Sequence, residues 1–202
     1  MVVNVSALTP LTTAATTVPA PQRLVEAAVA AFAERGYRAT TTRDIASRAG
    51  MSPAALYVHY PSKEQLLYDI SRGGHLGALG VLKAVEDGTP ATRLSEMVAA
   101  FTTWHAEHHS IARVVQYELA ALSADHLSDV ASIRRDITGM IESALADGVA
   151  DGSFAVPDLP GTALALLSMS IDVARWFDPA RSQPPAALGR LYADLALRMV
   201  SA

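Results

Sequence analysis

The chain has 202 residues, half of them hydrophobic and 18% charged, with 16 basic side chains, 20 acidic ones and no cysteine. Such a composition excludes an intrinsically disordered chain and suits one or two folded domains. The missing cysteine excludes disulfides, thiolate metal ligands and a thiol nucleophile, and points to a reducing, cytoplasmic setting.

The longest strongly apolar run, between Asp158 and Asp172, is too short to span a bilayer, so no membrane partner is expected. The net charge of −4 hides an asymmetry. Residues 1–75 carry seven basic and five acidic side chains, and the remainder nine and fifteen. A polyanionic partner is therefore expected to meet the N-terminal part.

Residues 1–20 carry no charge and are rich in Thr, Ala, Val and Pro, which predicts a flexible arm. Pro21 suits the first turn of a helix, and Leu24, Ala27, Ala28, Ala31 and Phe32 follow at helical spacing up to a stop at Gly36. Thr41-x-x-Asp44 has the form of a capping box for a short helix through Ile45 and Ala46. Gly50 breaks it, and Ser52-Pro53 starts a second short helix reaching about His59. Pro61 ends that helix, and Ser62-x-x-Gln65 caps a fourth containing Leu66, Leu67 and Ile70. After Gly73-Gly74, longer helices are expected at about 75–87, 90–109, 110–124, 126–147, 159–177 and 185–200. The only extended piece expected lies near Phe154–Val156. In the last helix, Leu188, Leu191, Tyr192, Leu195 and Met199 are placed on one face.

Thr41 to Tyr60 is the informative stretch. A helix-turn-helix needs a small residue where its helices cross, a turn residue tolerant of positive φ, and an apolar anchor under its second helix. Ala46, Gly50 and Leu56 meet these needs at intervals of four and six residues. The second helix then offers Ser52, Pro53, Ala54, Ala55 and Tyr57 to base edges in a major groove. Thr41, Thr42, Tyr60 and Lys63, at flanking helix ends, are candidates for phosphate contacts, and Arg43 and His59 complete the candidate DNA-binding set.

The runs Thr-Arg-Asp-Ile-Ala, Ala-Gly-Met-Ser and Leu-Tyr-x-His-Tyr-Pro-Ser-Lys-Glu, with Gly36-Tyr37 before them, resemble the DNA-binding domain of TetR-family transcriptional regulators from Pro21 to about Leu67. Tyr60 stands where that family usually has Phe. The resemblance implies an all-α chain in three parts: an arm (1–20), a three-helix DNA-binding domain (21–67) and a larger helical ligand-binding and dimerisation domain (68–202). It further implies a homodimer formed through the last two long helices, with two recognition helices about one turn apart on a palindromic operator. A small-molecule effector would release the DNA. Gly161, Ala163, Ala165, Ser168 and Ser170 are small enough for close helix packing. Asp147-Gly-x-x-x-Gly-x-Phe154, Trp176-Phe177, Asp178-Pro179 and Tyr192 are also similar to regulators that respond to acyl-CoA or other lipophilic acids.

Met97, Phe101, Trp104, His105, Arg113 and Tyr117 are the candidate effector residues, an apolar wall with a few polar groups. The same apolar residues read equally as core. His105, His108 and His109 share helical spacing, but no acidic or cysteine partner completes a metal set, so neither metal nor cofactor is expected. There is no P-loop, no G-x-G-x-x-G and no G-x-S-x-G, and no spacing assigns a catalytic acid, base or nucleophile, so no enzyme is expected. A helical adaptor without DNA binding is the remaining alternative, and specific, salt-dependent operator binding separates the two.

Overall fold

The computed structural model describes residues 18–201. Nearly all of the expected arm falls outside them. Among the described residues the regular elements are helices, joined by one isolated antiparallel bridge between Phe154 and Ser201 where the extended piece was expected. The helices are α1 (Ala20–Ala39), α2 (Thr42–Arg48), α3 (Pro53–His59), α4 (Lys63–Lys83), α5 (Pro90–Glu107), α6 (His109–Glu118), α7 (Ala124–Ala150), α8 (Leu159–Trp176) and α9 (Pro185–Val200), with a short 3-10 turn at Leu119–Ala121.

Local chemistry sets the first boundaries. Thr41 caps α2 through a complete capping box with Asp44, and the Ser52 hydroxyl caps α3 by accepting from the Ala55 N–H. Gly50 takes φ 66 in the turn between them, a conformation that a side chain at this position would strain. Gly36, at φ 76, breaks the regular geometry of α1 before its last residues.

One expected boundary is absent. Gly73-Gly74 does not end a helix; α4 runs unbroken from Lys63 to Lys83. Two interior glycines cost about 1 kcal/mol each. Against this, Leu66, Leu67 and Ile70 before them and Ala78, Leu79 and Leu82 after them are all buried. Burying large apolar side chains is worth about 1.5–3 kcal/mol each, so burial outweighs the glycine penalty.

The chain divides into two compact units. One takes the chain up to Gly77 together with Ser110–Val130; the other takes Ala78–His109 and Ala131–Ala202. In the first, Leu24, Ala28, Phe32, Ile45, Ala46, Leu56, Leu66 and Ile70 share one core with Ile111, Val114, Val115, Leu122 and Val130. The three N-terminal helices thus complete their core with residues some forty or more positions downstream.

In the second unit α5 packs against α8 and α9. The buried face of α9 is Leu188, Gly189, Ala193, Ala196 and Val200, while Leu191, Leu195 and Met199 are exposed. The five apolar residues expected on one face therefore split between two. Gly189 explains the rotation: a Cβ there would lie 2.3 Å from Thr103 Oγ1 and 2.6 Å from the Ala99 carbonyl oxygen, so α5 occupies that side of α9. On α8, Ala163 and Ser170 are buried within their own chain, whereas Leu164, Ala165 and Ser168 are exposed.

Candidate nucleic-acid interface

The surface of α3 follows from its anchor. Leu56 is fully buried, and residues two positions away on a helix point to the opposite side. Ala54 is accordingly exposed; Ser52, Pro53, Tyr57 and His59 are exposed as well, and Ala55 is half-buried. Val58 is 79% exposed, the outermost large apolar side chain of the helix. It was absent from the candidate set, although its position two residues from Leu56 and four from Ala54 was a readable signal. Its methyl groups suit contact with a thymine methyl.

Thr41, Thr42 and Arg43 gather at the start of α2. The Thr41 hydroxyl is engaged in the cap: it donates to Asp44 Oδ2 at 2.7 Å and accepts from the Asp44 N–H at 3.1 Å. The hydroxyl's bond, together with one from the Thr41 N–H to the same carboxylate oxygen at 2.8 Å, holds the Asp44 carboxyl below its ordinary range. Arg43 is exposed. Thr42 shares a 3.2 Å hydroxyl–hydroxyl hydrogen bond with Tyr57, bracing α2 against α3 and placing two polar groups side by side at the surface. Arg35 and Arg48 face carboxylates of the same unit, Asp44 at 3.8 Å and Glu34 at 2.5 Å.

Two of the expected phosphate contacts take other roles. Tyr60 is 3% exposed, with its hydroxyl 3.5 Å from the Pro21 carbonyl oxygen. Burial pushes its phenol up to about 12. It lies four residues after Leu56 and therefore shares the anchor's inward face, which removes it from the surface that α3 presents. Lys63 turns its ammonium inward too, donating to the Tyr37 carbonyl at 2.8 Å and the Thr40 carbonyl at 2.6 Å, and lying 4.1 Å from the Tyr37 ring centroid. A cation is favoured there because a helix end leaves its last carbonyls without partners. Desolvation lowers the pKa of this ammonium.

The candidate effector residues do not fall in one unit. Met97, Phe101, Trp104 and His105 are buried in the second unit, on α5. Arg113 and Tyr117 belong to the first, Arg113 half-buried and Tyr117 57% exposed. An exposed ring gives an apolar ligand little enclosure. Around His105, the Phe101 ring lies at 4.4 Å and the Trp104 ring at 5.0 Å, and His108 stacks on Trp104 at 4.7 Å. His105, His108 and His109 each place Nδ1 on a backbone carbonyl of their own segment, of Phe101, Trp104 and Ala106 respectively. Among the described residues, no group of three or more His, Asp or Glu is arranged to hold a metal ion.

Thr102, in the same turn of α5, was not in the candidate set. It is fully buried, and its hydroxyl has no hydrogen-bond partner. The Ser170 and Thr138 hydroxyls bond back one turn, to the Leu166 and Arg134 carbonyls, whereas the Ser71 hydroxyl of α4 is buried without a partner as that of Thr102 is. An unpaired buried hydroxyl costs about 1–3 kcal/mol. Nothing in the sequence separates Thr102 from its neighbour Thr103.

Residues 24–70 match the profile of the bacterial regulatory proteins of the tetR family, and residues 87–200 that of the tetracyclin repressor-like C-terminal domain. The chain is 31% identical over 187 residues to the HTH-type transcriptional repressor KstR2 of Mycolicibacterium smegmatis, spanning 89% of this chain and 90% of that protein. Its fold matches a crystal structure of a tetR-family regulatory protein from Rhodococcus RHA1 with a TM-score of 0.86 and 43% identity, covering 92% and 98% of the two chains. It also matches the ketosteroid transcriptional regulator KstR2 of Mycobacterium tuberculosis, with a TM-score of 0.85 and 26% identity over 94% and 98%.

Proposed function

We propose, for a chain that belongs to the TetR family of DNA-binding, ligand-responsive transcriptional repressors, that two copies read a palindromic operator through α3 and release it when a lipophilic effector binds beside α5. The exposed face of α3 carries the proposal. Its hydroxyl, apolar and aromatic groups are those that meet base edges and thymine methyls, and Leu56 anchors the helix from beneath.

Ser52, Pro53, Ala54, Tyr57, Val58 and His59 form the reading face in this proposal, with Thr42 and Arg43 at its flank. Dimerisation is assigned to the exposed apolar residues of α8 and α9. Leu164 and Trp176 on the first, with Leu191, Leu195 and Met199 on the second, give a single copy an uncovered apolar surface. A palindromic operator read by such a dimer would present its half-sites to two α3 helices about one DNA turn apart.

The effector is assigned an apolar body and at least one hydrogen-bonding oxygen. Met97, Phe101 and Trp104 suit the body, and the Thr102 hydroxyl the oxygen. Ketosteroid derivatives and acyl-CoA thioesters both have this chemistry. Setting the protein in the cytoplasm, where its DNA target would lie, belongs to the same proposal; no helix among the described residues is long and apolar enough to cross a membrane.

Selection of bound sequences from a random duplex pool at two salt concentrations tests the reading. Enrichment of a palindrome with half-sites about one turn apart is expected, and straight-chain acyl-CoA thioesters of increasing length can then be titrated against it. Weak binding without sequence preference, lost at moderate salt, would instead favour a helical adaptor.

A further inference from the structure

We infer that Glu118, at the C-terminal end of α6, is a positioning residue for operator binding: its carboxylate holds the α1–α2 turn, and through it the attitude of α2 and α3, without touching DNA. The inference rests on the DNA-binding reading of α3.

Gly36 starts the chain of cause. With φ 76 and ψ 161 it breaks α1, so the following N–H, of Tyr37, leaves the helical ladder. Glu118 Oε1 accepts that N–H at 3.0 Å, from 81 residues away in sequence. The next tether comes from α4, whose Lys63 ammonium donates to the carbonyls of Tyr37 and Thr40. A third is internal, with the Thr40 hydroxyl donating to the Ala31 carbonyl at 3.1 Å and the Gly36 carbonyl at 2.8 Å. Thr40 is followed by Thr41, the cap of α2, so this short turn decides the direction in which the helix-turn-helix leaves α1.

The residues after Glu118 grip the other side of the same head. The Ser123 N–H donates to Glu64 Oε1 at 2.9 Å, and His126 Nδ1 lies 2.8 Å from the same oxygen. The Tyr68 hydroxyl and Arg72 Nε donate to Asp129 Oδ2 at 2.9 and 3.1 Å. Residues 118–129 thus hold both the turn before α2 and the start of α4 after α3, and α2 and α3 lie between the two holds in the chain. The apolar core explains why this unit folds, since Leu24, Ile45, Leu56 and Leu66 are fully buried. Directional bonds determine where α3 points, and base readout requires side chains placed within about 0.5 Å.

The test uses the full-length protein and the palindrome recovered by selection, with Glu118→Ala and Glu118→Gln compared. The alanine variant removes the acceptor of the Tyr37 N–H; the glutamine variant keeps an amide oxygen there. Glu118→Ala is expected to weaken binding to the palindrome by about tenfold, the loss that follows when only about a tenth of the molecules hold α3 in the attitude that fits the bases. Its affinity for random duplex and the salt dependence of binding should stay near those of the unaltered protein, because no phosphate contact is lost, while the thermal midpoint should fall by a few degrees, because the Tyr37 N–H loses its acceptor. Glu118→Gln should restore most of the specific affinity.

Three results would overturn the inference: Glu118→Ala binding the palindrome as the unaltered protein does; Glu118→Gln being as weak as Glu118→Ala; or specific and random-duplex binding falling in the same proportion, which would make Glu118 a fold contact only. If the unaltered protein shows no sequence preference, the DNA-binding reading itself fails, and that outcome is separate from these three.

Discussion

The surfaces proposed for DNA on α3 and for an effector on α5 lie on opposite sides of the solvent boundary. The proposed reading face of α3 is exposed, with a half-exposed Tyr57 and an almost bare Val58, and its one large buried side chain, Leu56, holds the helix from beneath. Helix α5 buries Leu94, Met97, Val98, Phe101, Trp104 and Ala106, residues that would look the same in a helix with no function beyond packing. A surface that meets DNA must stay solvated until it binds, so its residue types stand out against a folded core. A surface that meets an apolar effector uses the side chains of a core, and on α5 the unpartnered Thr102 hydroxyl is the polar group on which the proposal draws.

The largest expected effect tests whether α3 has two independent faces. Leu56→Ala deletes a fully buried side chain and should cost about 2–5 kcal/mol in chemical denaturation, with operator binding lost as the helix loosens. A loss below 1 kcal/mol would mean that α3 does not depend on this anchor. On the opposite face, Tyr57→Ala should leave the denaturation midpoint nearly unchanged while weakening operator binding by about 1–3 kcal/mol in a gel-shift titration. Equal affinity for the two proteins would remove Tyr57 from the reading face and leave its hydroxyl as a brace to Thr42.

The smallest effect concerns α5 and has the opposite sign. Thr102→Val keeps the side-chain shape and removes the unpartnered hydroxyl, so calorimetry should find the protein stabilised by about 1 kcal/mol. A destabilised variant would show that the hydroxyl has a partner within the folded protein, and the contrast between α3 and α5 would lose its polar marker.

Local rules made the head legible. The capping box at Thr41 and Asp44, the Ser52 cap, the glycine turn and the burial of Leu56 follow from residue types at short spacings, and each stands where the spacing puts it. Tyr60 and Lys63 show where such reasoning stops. Both sit at helix ends with polar tips, and chain order alone allows those tips to reach a phosphate. What turns them inward comes from elsewhere in the fold: the Pro21 carbonyl for Tyr60, and the carbonyls released where Gly36 breaks α1 for Lys63.

Further along, the local signals misled in a consistent direction. Gly73-Gly74 has the form of a break, yet α4 continues because the buried residues on either side of it outweigh two glycines. The apolar residues of α9 fit a single stripe, yet Gly189 turns the helix so that α5 takes one side and Leu191, Leu195 and Met199 are left exposed.

The sequence by itself determined the class of fold, the four N-terminal helix starts and the outward-facing residues of α3, because caps, turns and helical period act over a few residues. Only the tertiary structure decided that Ile111, Val114, Val115, Leu122 and Val130 complete the core of the head, that Glu118 holds the turn before α2, and that Thr102 is buried without a partner. These depend on pairings between residues far apart in the chain, and such pairings are selected by the burial of the whole unit rather than by any local pattern.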